Sequence, residues 1–134
     1  MLIARFANLS ARRQRLLVEA VCELAAARLA TSLLSFSRLV RWSGAPLGGA
    51  RPASVDDLVW AVRTAAARMP FRAACLQQAV ALQRMLRRRD YGASLHYGLA
   101  IGGRLEAHAW VTLRGMALIG GQEAERFREV AAWP

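Results

Sequence analysis

PFRAACLQQAVALQRMLRRRDYGASLHYGLAIGGRLEAHAWVTL, residues 70–113, holds the change of period on which the fold turns. From Ala74 to Arg89 the apolar residues Leu76, Val80, Leu82, Met85 and Leu86 recur at helical spacing. Arg84, Arg87, Arg88 and Arg89 crowd the end, where cations complement the negative pole of the helix. Asp90-Tyr91-Gly92 then stops the helix. Beyond it the residues alternate: Ala93 to Ile101 and Arg104 to Leu113 are two extended runs around Gly102-Gly103, a two-residue hairpin signal. Arg114-Gly115 offers a second turn into a short strand from Met116 to Ile119. The segment predicts one helix leading into a three-stranded antiparallel meander, so the fold class is α+β. With a two-residue loop, paired positions sum to about 205, which sets His108 opposite Tyr97 on the face of Glu106 and Trp110, and His96 on the other face.

Working upstream, Ser54 precedes Asp57 by three positions, a capping-box variant that opens a helix from Val55 to about Arg68. Met69-Pro70 ends it, because the residue before proline is pushed out of the helical region. Asp56 and Asp57 read as first-turn charges that favour the helix dipole rather than as a catalytic pair. Ser43 to Pro52 is rich in glycine and proline and reads as a loop. Before it, Ala11 to about Val40 carries Leu17, Val21, Leu24, Leu29, Leu33 and Phe36 at helical steps, as one long helix or two. Downstream, Gln122 to Trp133 is expected to be a short amphipathic helix carrying Phe127, Val130 and Trp133. The expected organisation is a single domain over 1–134, with residues 1–50 a helical N-terminal extension and loop and residues 53–134 the core.

The chain of 134 residues is 55% apolar and 21% charged, enough for one packed core and far from the composition of disorder. Its formal charge is +10 and all nineteen basic residues are arginine, a residue suited to forked contacts with carboxylate or phosphate. An acidic partner fits this charge, but basic residues on a small protein more often form a solvated face. Two cysteines are too few for a disulfide scaffold, which points to a reducing cytoplasm. Arg5, Arg12, Arg13 and Arg15 precede an apolar stretch, but Glu19, Glu23 and Arg28 interrupt it, so neither a signal peptide nor a membrane span is expected.

Cys75 is expected in the first turn of its helix, where uncapped backbone N–H groups and the dipole suit a sulfur nucleophile. Read alone, it is better explained as a small buried hydrophobe. Cys22 lies mid-helix in an apolar stripe and reads as packing. His108 sits in a strand between Ala107 and Ala109, where another element has room to approach, and a helix-start cysteine followed by such a histidine is an order used by cysteine enzymes. His96 reads as structural. The spacing of the two histidines and two cysteines offers no zinc site, and a chain without lysine has no P-loop.

Together, Ala74-Cys75-Leu76-Gln77-Gln78-Ala79, the run Arg87 to Gly92, Gly98 to Gly102, and His108-Ala109-Trp110-Val111 resemble the stand-alone leader peptidases of lasso peptide biosynthesis, often called B2 proteins. The resemblance covers roughly Leu58 to Gly121 and implies a transglutaminase-like, papain-like cysteine protease core. It implies that Cys75 is the nucleophile and His108 the general base, with no metal or organic cofactor. The implied partners are the leader region of a ribosomally made lasso precursor peptide, a separate leader-recognition protein, and the lasso cyclase that closes the macrolactam. The family places an aspartate on the next strand to orient the histidine, whereas Met116 to Gly121 holds no carboxylate, so Gln122 is the nearest stand-in. Two other readings stay open: acyl transfer to an amine by the same dyad, and a non-catalytic basic module that holds an acidic peptide or nucleic acid.

Overall fold

The computed structural model describes residues 2–45, 47–71, 73–101, 105–119 and 128–133. Five helices precede the sheet: α1 (Leu2–Ala7), α2 (Ala11–Leu33), α3 (Phe36–Ser43), α4 (Val55–Ala66) and α5 (Cys75–Arg87). Four strands follow: β1 (Ser94–Ile101), β2 (Leu105–Leu113), β3 (Met116–Ile119) and β4 (Arg128–Trp133). Each of α2, α3 and α4 opens on a serine whose hydroxyl accepts an amide of the first turn, Ser10 from Arg13, Ser35 from Arg38 and Ser54 from Asp57. The long N-terminal stretch is thus two helices, divided where Leu34 leaves the helical region and Ser35 recaps the chain.

Helix α5 is the centre of the molecule. It packs against α2, α3 and α4 on one side and against β1 and β2 on the other, and its run from Ala79 to Leu86 is buried throughout. Leu24 of α2, Leu58 and Val62 of α4, Val80, Leu82 and Leu86 of α5, and Leu95 and Val111 of the sheet make one continuous apolar core. Burying α5 on all sides also buries Arg84, which α2 answers. Arg84 Nε meets Glu23 Oε2 at 2.8 Å while Arg88 Nη2 meets the other Glu23 oxygen at 2.6 Å, and Arg84 further donates to the Trp42 carbonyl. Arg89 forks onto both oxygens of Glu19 at 2.9 and 2.7 Å. Three of the arginines expected to serve the helix dipole are therefore held by carboxylates of α2, and α2 is a wall of the core.

The sheet is antiparallel in the order β3-β2-β1-β4. Arg114 and Gly115, at φ 52° and 80°, make the tight turn from β2 to β3, a conformation that glycine adopts without steric cost. Two expectations are corrected here. The segment read as a C-terminal amphipathic helix contributes β4, which returns to pair with β1, Leu95 facing Trp133 and Tyr97 facing Ala131. The open edge of β1 offers a row of unpaired N–H and C=O groups, and a strand that satisfies them wins over a weak local helical pattern. The β1–β2 register is also one residue off the expected one: Ile101 pairs with Leu105, leaving three residues between the strands, and Gly98 rather than Tyr97 faces His108.

Removing one partner of the buried α2–α5 pair strands a charge in the core. Glu23→Ala should lower the unfolding free energy by about 3 kcal/mol, whereas Arg12→Ala, which loses an exposed pair with Asp57, should cost under about 1 kcal/mol. Urea denaturation checks this, and equal losses would contradict the assignment.

Candidate active site

Cys75 is the first residue of α5 and half-buried. Ala74, the residue ahead of it, is extended and has no side chain to cap the helix, so the amides of Cys75, Leu76 and Gln77 face the start of α5 without a side-chain acceptor. Two glutamines that sequence reasoning passed over hold this corner. Gln77 Oε1 accepts the Ala74 amide at 2.9 Å, its Nε2 reaches Thr31 Oγ1 of α2 at 3.3 Å, and Gln78 Nε2 donates to the Ala73 carbonyl at 2.8 Å. A glutamine three residues after the cap position is the second half of a capping box, and that signal was present in the sequence.

His108 lies in β2, buried, and opposite Gly98 of β1. Directly paired residues share a face, so the one-residue change of register moves His96 to the face of His108. The two histidines flank one indole: His96 stacks on Trp110 at 5.4 Å between centroids and His108 at 5.9 Å. His96 Nε2 is 2.7 Å from Thr112 Oγ1, which fixes its ring. Leu95, Ala109 and Val111 alternate to the opposite face, and they are the residues that enter the helical core.

Cys75 stands at the start of α5, and His108 on the sheet that α5 packs against. Gln83 of α5 donates to the Ala93 carbonyl at 3.3 Å, which pins the middle of the helix to the start of β1. From there Cys75 lies about 12 Å back along α5, and Gly98 about 16 Å along β1. Phe36, just past the end of α2, packs on Tyr97 of β1 at 5.2 Å between ring centroids. Among the hydrogen bonds of the described residues none joins the Cys75 thiol to the His108 ring, which stands on the Trp110 face. Gln122 lies outside the described residues. Cys22 is exposed on α2, far along the sequence from this corner.

The family model described as the transglutaminase-like superfamily matches residues 7–132. The chain belongs to that superfamily. Its members are typically cysteine-based enzymes and include cysteine peptidases and acyltransferases. The match takes in α2 as well as the sheet, in agreement with the structural part that α2 plays. No curated protein and no solved structure matches the chain.

Gln77→Ala removes the acceptor of the Ala74 amide and the tie to Thr31. It should lower stability by about 1 kcal/mol and speed hydrogen exchange at the Ala74 amide; an unchanged exchange rate there would show that the clamp does not hold the corner.

Proposed function

We propose that the protein is a cysteine peptidase that removes the leader from a ribosomally synthesised lasso precursor peptide, with Cys75 as nucleophile and His108 as general base. The observation that carries the reading is Cys75 itself, in the first turn of the buried central helix of a transglutaminase-like chain. The local sequence around Cys75 and the His108-Ala109-Trp110-Val111 strand supports the leader-peptidase assignment within the superfamily.

In this reading His108 takes the Cys75 thiol proton and becomes imidazolium as the sulfur attacks the carbonyl carbon of the leader–core bond, and the Cys75 amide donates to the developing oxyanion. The C–N bond breaks as the His108 imidazolium gives its proton to the leaving amine, which frees the amino terminus of the core. The leader remains on sulfur as a thioester. His108 then takes a proton from water, whose oxygen attacks the thioester carbon, and the C–S bond breaks to leave the leader carboxylate and the regenerated cysteine. The reaction consumes one water and uses no metal or organic cofactor. It requires the start of α5 and the His108-bearing face of the sheet to close on the peptide, since productive hydrogen bonds of a catalytic pair tighten in the substrate complex. The proposed partners are the precursor peptide, a leader-recognition protein that delivers it, and the cyclase that uses the freed amine.

Mass spectrometry after incubation with precursor peptide and recognition protein tests the assignment. Hydrolysis should be lost in Cys75→Ala, fall by about a hundredfold or more in His108→Ala, and persist in Cys22→Ala. Equal effects of the two cysteine substitutions would remove Cys75 from the mechanism. A product lighter by one ammonia would make the enzyme an acyltransferase, and an unchanged peptide would favour a binding module.

A further inference from the structure

A deep apolar cavity lies between the N-terminal helices. It is a groove of about 710 Å³ between α1, α2 and α4, walled by Phe6, Leu17, Val18, Val21, Trp60 and Phe71. Val18, Val21 and Phe6 are 55%, 42% and 39% exposed, a concentration of apolar surface that a soluble chain seldom leaves uncovered without a use. The volume is in the range of built binding pockets.

The charge around the groove selects its occupant. Arg5 and Arg68 line it, and Arg28 sits over the Phe71 ring at 5.5 Å. None of these three guanidinium groups has a carboxylate partner among the described residues. A second copy of the chain would bring another +10 of like charge to this rim, so self-association is opposed. The rim also lies within reach of the nucleophile: Phe71 precedes Cys75 by four residues, a span of at most about 14 Å. A peptide leaving the groove past Phe71 arrives at the start of α5.

We propose that this groove seats a carboxylate-bearing amphipathic segment of the peptide substrate, upstream of the bond presented to Cys75. Apolar anchors about one helical turn apart fill the channel between Phe6, Val21 and Trp60, and carboxylates of the same segment meet Arg5, Arg28 and Arg68. The inference rests on the peptidase reading for its direction of approach, while the groove's chemistry stands on the residues themselves.

Cys22 lines the groove and is exposed, which supplies the assay. In Cys75→Ala protein, the remaining thiol is Cys22, and its alkylation by iodoacetamide reports occupancy. The probe is an 18-residue amphipathic helix with leucines on one face and glutamates on the other. Saturating probe should slow alkylation at least tenfold, and the same peptide with lysine for glutamate should not. Val21→Asp and, separately, Arg68→Glu should each abolish most of the protection at unchanged melting temperature. Protection by the lysine peptide, indifference to both substitutions, or no protection at all would overturn the proposal. So would stronger protection by anionic phospholipid vesicles, which would make the groove a membrane-facing surface. The assay is blind to hydrolysis, so the two readings fail separately. Protection together with intact precursor in the presence of Cys75 sinks the peptidase, and cleavage without protection sinks the groove.

Discussion

Helix α5 can be buried on every side only because Glu23 reaches it. An arginine in a core carries a desolvation cost that is offset when its charge and donors are met in good geometry, and Arg84 is met by a carboxylate, a backbone carbonyl and the face of Trp42 at 3.8 Å. The same carboxylate takes Arg88, and Glu19 takes Arg89, so α2 and α5 are locked along their length. The position of Cys75 follows from that lock. A helix that cannot slide or roll holds its first residue in place, and Gln77 ties that residue's corner back to Thr31 of the same α2.

What the sequence revealed was mostly what is local. The stop at Asp90-Tyr91-Gly92, the Ser54 cap and the alternation after Gly92 are decided within a few residues, and α4, α5 and the first three strands lie where those signals put them, whereas α1 went unread. What it concealed was pairing at a distance. The arginines after Arg84 look the same whether they face water or Glu23, some sixty residues earlier, and local dipole arguments explained them without a partner. Strand β4 escaped for the same reason, because Val130 and Trp133 fit a helical period until the unpaired edge of β1 is known.

The candidate site was legible in part. Cys75 was recognised because a helix start has a local signature, while Gln77 and Gln78 beside it entered only as part of the motif with no role of their own, although their side chains close the backbone bonds ahead of the thiol. The hairpin loop decided the rest. A glycine pair suggests a two-residue turn, but the strands meet at Ile101 and Leu105, and that single residue places His96 and His108 on one face with Trp110 between them. A period of two makes any such slip an inversion of face.

A helix-start cysteine, a buried histidine on the following sheet and membership of a transglutaminase-like superfamily support the proposed sulfur chemistry at Cys75. In the proposed function the imidazole of His108 serves this thiol. The most direct test of that role is the iodoacetamide alkylation rate of Cys75 at neutral pH, measured in Cys22→Ala protein and again after adding His108→Ala. The account predicts a rate about tenfold lower or more without the imidazole, and equal rates in the two proteins would contradict it.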